Sequence, residues 1–115
     1  MKVIAINGSP KANGNTAYAI SLVLEELEKE GIETEVIQVG NQPLRGCVGC
    51  GGCGRDGRCV FDDQTNEWAD KMAAADGVVI GTPVYYAGIN GTLKSFLYRA
   101  FYSHGRRMRH KVGVG

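Results

Sequence analysis

Residues 3–16 constrain the fold of this chain more than any other stretch of its sequence. They begin with an apolar run at 3–6, mostly β-branched, which predicts a strand buried on both faces of a parallel sheet. Gly8, Pro10 and Gly14 follow, so the chain is expected to turn sharply after the strand. The sequence therefore predicts a strand, a short loop and the start of a helix.

The loop between this strand and helix carries the residue types of a phosphate-binding site. Free N–H groups at a helix start, the positive end of the helix dipole and short polar side chains together attract an anion. The side chains concerned are Ser9, Lys11, Asn13, Asn15 and Thr16, and the hydroxyl and amide groups among them can also cap the helix. Their spacing matches neither the Walker motif nor Gly-x-Gly-x-x-Gly, which disfavours a nucleoside triphosphate or a Rossmann dinucleotide and favours a monophosphate. The alternative is a plain strand-to-helix connection with an Asn or Thr cap.

The rest of the chain alternates predicted helices and strands. The predicted elements are a helix over 16–30, an edge strand over 33–39, a helix capped by Asp62 and Asp63 that carries Trp68 into the core, a buried strand over 77–82, a helix over 93–101 and the beginning of a fourth strand at 112–115. This order predicts an α/β fold, an open parallel sheet with helices on both faces. Ligands of such sheets bind beyond the carboxyl ends of the strands, where the 8–16 and 82–91 loops are both expected.

The chain is short and nearly neutral. Its 115 residues predict a single domain, and 13 basic against 12 acidic residues give a net charge of +1. That balance favours neither nucleic acid nor an anionic membrane as a partner. No apolar run approaches the roughly 20 residues that span a bilayer, and no signal-peptide pattern precedes the first strand, so a cytoplasmic protein is expected.

Four cysteines lie close together in a glycine-rich loop at 43–61 that shows no helix or strand period. Their spacing is Cys47-x2-Cys50-x2-Cys53-x5-Cys59. Such local clustering is typical of a metal or redox site in a reducing compartment. Three near thiolates and one further along favour a 4Fe-4S cluster, whereas structural zinc more often uses two separated Cys-x2-Cys pairs. Redox thiols without a metal are the third interpretation.

The loop after the predicted strand at 77–82 suits a flat ligand. Aromatic side chains and a run of backbone N–H and C=O groups are what a planar heteroaromatic ring requires. The residues concerned are Pro83, Val84, Tyr85, Tyr86, Ala87 and Gly88. Together with the phosphate loop at the same sheet edge, they make flavin mononucleotide (FMN) the ligand that fits both segments.

The remaining polar residues suggest no further catalytic site. His104 and His110 are predicted to be exposed residues of a basic turn rather than proton donors or metal ligands. Neither a Ser-His-Asp arrangement nor a catalytic pair of carboxylates is predicted, and Asp62-Asp63 is interpreted as a helix cap.

The three motifs resemble those of the NADPH-dependent FMN reductase and iron-sulfur flavoprotein family. They are Gly8-Ser9-Pro10-Lys11 with Asn15-Thr16, the cysteine quartet, and Thr82-Pro83-Val84-Tyr85-Tyr86 with Gly91-Thr92-Leu93-Lys94, in that order. The resemblance implies a flavodoxin-like sheet of strand order 2-1-3-4-5. It implies FMN with its phosphate at Ser9, Lys11, Asn13, Asn15 and Thr16 and its ring against 83–88. It also implies a 4Fe-4S cluster on Cys47, Cys50, Cys53 and Cys59 that exchanges electrons with FMN.

Resemblance also sets expectations about assembly and activity. Family chains continue through further strands and a helix, so residues 1–115 are expected to form an incomplete flavodoxin-like domain, truncated after the start of strand 4. A homodimer or tetramer is expected, with the cysteine loop near a subunit interface and a small redox protein, such as a ferredoxin, as electron partner. The alternative functions are an NAD(P)H-dependent FMN or quinone reductase whose cysteines bind nothing, and a non-enzymatic zinc-stabilised binding domain.

Overall fold

The computed structural model describes all residues, 1–115, and follows the predicted alternation of strands and helices. The elements are β1 (Lys2–Asn7), α1 (Asn15–Lys29), β2 (Glu33–Gln38), α2 (Gly52–Asp56), α3 (Gln64–Ala74), β3 (Gly77–Gly81), β4 (Val84–Tyr85), β5 (Gly88–Ile89), α4 (Gly91–His104) and β6 (Val112–Val114), with a 3-10 turn at Gly105–Met108. No helix combines the length and the apolar character that crossing a bilayer would need.

Four of the strands form a parallel sheet in the order β2-β1-β3-β6. β1 lies between two neighbours, and its residues Ile4, Ala5 and Ile6 are fully buried. That position explains why the run is apolar throughout, since both of its faces are covered. The predicted α/β fold with an open parallel sheet is confirmed, and β6 occupies the place predicted for strand 4.

Helices cover the two faces of the sheet. Alternate residues of β1 point to opposite sides, so Val3 and Ala5 pack with α1 while Ile4 and Ile6 pack with α3 and α4. Trp68 of α3 contacts Phe96 of α4 edge to face, with ring centroids 5.6 Å apart. The prediction that Trp68 packs into the core is confirmed.

Two helix ends follow local chemistry, and the first of them was predicted. Asp63 caps α3 by accepting a hydrogen bond from the Thr65 N–H at 3.0 Å. Gly31 follows the end of α1 with a φ of 79°, which favours glycine. The cap of α4 is Asn90, which the sequence analysis did not single out; its side chain accepts from the N–H groups of Thr92 and Leu93.

Two loop segments contain more regular structure than predicted. The short helix α2 lies inside the cysteine loop, and the 82–91 segment forms an antiparallel hairpin of β4 and β5. Tyr86 and Ala87 make the hairpin turn with φ values of 46° and 65°. Positive φ at both central positions is the geometry of tight hairpins, but those positions usually carry Gly or Asn, so a Tyr-Ala pair does not indicate such a turn.

The edge strand β6 is thinly covered. Val112 and Val114 are exposed, and apolar clefts of about 300 and 280 Å³ lie beside β6 on the two faces of the sheet. Phe101 of α4 lines the first of these clefts and is about half exposed.

Candidate functional site

A buried asparagine and a half-buried glutamine at strand ends hold the predicted phosphate loop. Asn7, the last residue of β1, accepts from the Ser9 N–H at 2.9 Å and donates to Gln38 Oε1 at 2.8 Å. Gln38, the last residue of β2, in turn donates to the Ser9 carbonyl at 2.7 Å. The Ser9 hydroxyl accepts from the Lys11 N–H at 3.1 Å, which closes the turn. Asn7 and Gln38 are therefore functional residues that the sequence analysis missed.

The start of α1 keeps its N–H groups available for an anion. Gly14 is the N-cap, no side chain caps the helix, and the first intrahelical bond runs from the Tyr18 N–H to the Gly14 carbonyl at 3.0 Å. The prediction that a hydroxyl or amide of this loop caps the helix is therefore wrong, because glycine occupies the cap position, Ser9 bonds within the loop, and Asn15 and Thr16 lie inside the helix. An uncapped helix N-terminus beside Lys11 fits a phosphate group.

Close backbone approaches bring three strand ends to this loop. The Gly8 N–H donates to the Gly81 carbonyl of β3 at 2.7 Å, and the Gly40 N–H donates to the Asn7 carbonyl at 3.1 Å. A Cβ atom on Gly40 would lie 2.2 Å from the Gly8 carbonyl oxygen and 2.3 Å from backbone atoms of Ser9. Gly40 therefore packs directly against the backbone of the phosphate loop, and only a residue without a side chain fits there.

The hairpin of β4 and β5 lies at the same sheet edge. It follows β3 directly, as the phosphate loop follows the adjacent strand β1, and the Gly8–Gly81 bond joins the two loop starts. Thr82 Oγ1 accepts from the Asn90 N–H at 3.2 Å, which closes the base of the hairpin. Pro83 is half-buried, whereas the side chains from Val84 to Ile89 are exposed. The structure thus brings the two segments predicted to hold FMN to one edge.

All four cysteines line one small cavity. Its volume is about 30 Å³, and Phe61 and Arg99 also contribute to its wall. The thiols are free; Cys47 and Cys50 are exposed, while Cys53 and Cys59 are half-buried. Gly49, Gly51 and Gly57 adopt φ values of 69°, 77° and 69°, so glycine is needed at these bends. No three His, Cys, Asp or Glu side chains are placed to hold a single metal ion.

Arg99 of α4 connects the cysteine loop to the body of the fold. It is only 2% exposed, and its terminal nitrogens bond both Asp63 oxygens at 2.8 Å and the Arg45 carbonyl at 3.1 Å. Its Nε–H donates to Cys59 Sγ at 3.3 Å. Burial alone would lower the pKa of Arg99, but the bonds to Asp63 and Cys59 outweigh it and raise that pKa. For Asp63 the signs are reversed. Burial alone would raise the pKa of its carboxyl group, but the hydrogen bonds from Arg99 and Thr65 outweigh burial, and the pKa is lowered.

The sequence contains a signal for the role of Arg99, which was not among the predicted functional residues. Arg99 follows Phe96 by three residues and precedes Ala100, so it lies on the apolar stripe of the predicted helix. A charged side chain on such a stripe needs a buried partner. Asn66 is another functional residue that was not predicted. The Asn66 side chain accepts a hydrogen bond from the Cys59 N–H at 2.8 Å and donates one to the Cys59 carbonyl at 2.9 Å.

Asp70 of α3 is a second anchor for the cysteine loop. It accepts from Arg58 of the loop at 2.9 Å, from Arg107 at 3.0 Å and lies 3.0 Å from His104 Nε2. The bond from Arg58 is the main reason why the pKa of Asp70 is lowered to about 2. The predicted exposure of His104 is therefore wrong, because α4 continues to residue 104 and places this imidazole on its buried face, four residues after Ala100. His110 is exposed, as predicted.

Ser103, His104 and Asp70 form a hydrogen-bonded set that the sequence did not predict. Ser103 Oγ lies 2.6 Å from His104 Nδ1, but the same hydroxyl donates to the Arg99 carbonyl of its own helix at 2.7 Å. The His104 side chain has no exposed surface. This set therefore joins α4 to α3 and offers no nucleophile to a substrate.

Stability is expected to fall in acid because His104 is buried. Desolvation lowers the pKa of His104 below 6.5, and the bond to Asp70 only partly offsets it. The unfolded chain then binds a proton more readily, so the free energy of unfolding decreases as the pH falls from 6.5 toward the folded pKa. Urea unfolding above and below pH 6.5 should show a shallower pH dependence in His104→Gln. His110→Gln, at an exposed position, should keep the wild-type dependence; equal slopes in all three proteins would contradict the assignment.

Comparisons with known proteins identify the family of this chain. The sequence model of NADPH-dependent FMN reductase matches residues 1–115. An iron-sulfur flavoprotein of Methanocaldococcus jannaschii is 40% identical over 114 residues, which are 98% of this chain and 59% of that protein. An iron-sulfur flavoprotein of Archaeoglobus fulgidus is 33% identical over 114 residues, which are 98% of this chain and 52% of that protein.

Solved structures share the fold. The structure of a flavone reductase is 27% identical with a TM-score of 0.66, and the match covers 84% of this chain and 28% of that one. The chain thus spans little more than half the length of the curated relatives it matches. The predicted flavodoxin-like fold and the predicted family are both confirmed. The chain belongs to the NADPH-dependent FMN reductase family.

Proposed function

We propose that this chain carries the cofactor-binding part of an iron-sulfur flavoprotein, in which electrons pass between FMN and a 4Fe-4S cluster. The observation that carries the proposal is the single cavity lined by Cys47, Cys50, Cys53 and Cys59. When bound, FMN and the cluster would supply two-electron and one-electron redox chemistry, and the chain positions and tunes them.

The residues at the sheet edge fit FMN. The N–H groups at the start of α1 and the Lys11 side chain would hold the phosphate, with Ser9, Asn13, Asn15 and Thr16 around it. The hairpin residues Pro83, Val84, Tyr85, Tyr86, Ala87 and Gly88 would contact the flavin ring through their backbone groups and exposed aromatic side chains.

The donor set of the cysteine cavity, four thiols around one centre, is that of a 4Fe-4S cluster. Each thiolate of a 4Fe-4S cluster binds a different iron, so the four sulfurs need not converge on one point. Arg99 and the Gly49 N–H already donate to sulfur, at Cys59 and Cys47 respectively. Such donors stabilise the negative charge of bound thiolates.

Helix α4 gives the two sites a fixed relation. Its N-cap Asn90 closes the hairpin, its residue Leu93 packs against Gly8 of the phosphate loop, and Arg99 binds the cysteine loop. Arg99 follows Asn90 by nine positions, so the two residues lie about 14 Å apart along the helix axis. A rigid helix of this length would hold the donor and acceptor of a one-electron step at a constant separation.

The first test of this function is Cys50→Ser. We expect wild-type protein purified without oxygen to contain FMN and about four irons per chain. The variant should lose iron and the broad cluster absorbance but keep FMN, because Cys50 has no role in the phosphate loop. Val48→Ala, which alters the same cavity without removing a thiolate, should keep both cofactors. Zinc in place of iron, or loss of FMN together with iron in Cys50→Ser, would contradict the proposal.

The family description favours a second candidate, an NAD(P)H-dependent FMN or quinone reductase whose cysteines bind no cluster. It predicts FMN without iron in the wild type and an unchanged rate of NAD(P)H oxidation in Cys50→Ser. As for partners, we propose a small redox protein of the ferredoxin type as electron partner and a homodimer or tetramer. The exposed aromatic side chains Tyr98 and Tyr102, which line an opening of about 590 Å³ outside Cys47 and Cys53, offer a surface for such contacts.

A further inference from the structure

We propose that Arg99 is a positioning residue that sets the reduction potential of the cluster through its Nε–H bond to Cys59 Sγ. The inference rests on the proposed function, because it assumes that the four cysteines hold a redox-active cluster. It goes further by assigning the tuning of that cluster to a side chain outside the cysteine loop.

Cys59 differs from the other three cysteines in what its sulfur accepts. It is the only one that accepts from a charged side chain, whereas Cys47 accepts from the Gly49 backbone N–H at 3.4 Å. Its main chain is also fixed, since Asn66 bonds both its N–H and its carbonyl. Cys59 is therefore fixed at its main chain by Asn66 and at its sulfur by Arg99.

The guanidinium is oriented by its other partners. Asp63 engages both terminal nitrogens, and Asp63 is itself held at the N-cap of α3 by the Thr65 N–H. The Arg99 stem lies on α4, so two packed helices determine where Nε points. Because Asp63 neutralises the charge of Arg99, the directed N–H···S bond is the main effect that remains at Cys59.

A hydrogen bond to a cluster thiolate favours the reduced state. Reduction adds one negative charge to the cluster, and an N–H donor at the sulfur stabilises that charge. Loss of the donor should therefore shift the potential to more negative values. Removing the charge of Asp63 while keeping Arg99 should do the opposite, because the positive charge of Arg99 is then no longer neutralised.

The test is a redox titration of the iron-loaded protein, followed by the cluster absorbance and its electron paramagnetic resonance signal. We expect a more negative potential in Arg99→Lys and a larger negative shift in Arg99→Gln, which also loses the positive charge. Asp63→Asn should shift the potential to more positive values, and asparagine can still cap α3. Arg55→Gln is the matched control, since Arg55 is exposed and pairs only with Asp56; its potential should equal that of the wild type.

Opposite shifts of the reduction potential in the Arg99 and Asp63 variants distinguish tuning of the cluster from a merely structural role. If Arg99 only keeps the loop folded, the Arg99 and Asp63 variants should shift the potential in the same direction, as both loosen the loop, and that result would overturn the inference. Unchanged potentials in Arg99 variants that still bind iron would also overturn it, and leave the proposed function intact. Wild-type protein that binds no iron overturns both. Arg99→Lys keeps a cation beside Asp63 in case Arg99→Gln does not fold, and Asp63→Asn tests the sign independently.

Discussion

Gly40→Ala is expected to weaken FMN binding at least tenfold and to lower the free energy of unfolding by about 2 kcal/mol. The added methyl group would lie 2.2 Å from the Gly8 carbonyl oxygen, and backbone atoms cannot move aside as a flexible side chain can. Overpacking of this kind typically costs 1–3 kcal/mol, and a displaced phosphate loop loses its fit to the anion. Fluorescence titration with FMN gives the affinity, and urea unfolding gives the stability.

Gly105→Ala provides the control for Gly40→Ala. A Cβ atom at Gly105 meets nothing within 4 Å, so both FMN affinity and stability should remain near the wild-type values. If Gly40→Ala bound FMN as tightly as Gly105→Ala and unfolded at the same urea concentration, the close approach of Gly40 to the loop would not matter for binding.

Arg99→Met is expected to lower the free energy of unfolding by about 3 kcal/mol, at the low end for breaking a buried pair, because it leaves the half-buried carboxylate of Asp63 without its partner. Both oxygens of Asp63 lose a bond of 2.8 Å, and Cys59 and the Arg45 carbonyl lose theirs as well. Chemical unfolding of the cluster-free protein measures the effect without a contribution from bound iron.

Two further variants identify the cause of that loss. Arg99→Met with Asp63→Asn should recover part of the stability, since the unpaired charge of the half-buried Asp63 is removed. Arg55→Met, which breaks an exposed pair with Asp56, should cost less than about 1 kcal/mol. A loss in Arg99→Met as small as that in Arg55→Met would mean that the Arg99–Asp63 pair does not stabilise the fold.

The comparison of sequence and structure is most informative at the helix starts. The cap at Asp63 was predictable, because an acidic residue immediately precedes an amphipathic pattern. The uncapped start of α1 was not, since Asn13, Asn15 and Thr16 all have the chemistry of a cap. In the structure, bonds of Asn7 and Gln38 across two neighbouring strands help to hold the turn, and Gly14 occupies the cap position.

His104 and Arg99 show how the length of one helix changes the interpretation of its side chains. The basic turn after residue 101 suggested exposed residues, but α4 continues to His104 and buries its imidazole against Asp70. The role of Arg99 also depends on residues that are distant in the sequence. Its partners Asp63 and Cys59 lie 36 and 40 residues away. Pairings over such separations follow from packing, which local patterns do not encode.

Local sequence was sufficient to predict the features that depend on neighbouring residues. The apolar run of β1, the glycine after α1, the cap at Asp63 and the spacing of the cysteines all follow from local chemistry and indicate the fold and the two candidate sites. Features that depend on contacts between distant segments emerged only in the folded chain. Folding placed Gly40 against the phosphate loop, joined Arg99 to Cys59 and linked both sites through α4, because burial and directed hydrogen bonds arise only once the sheet and helices have packed together.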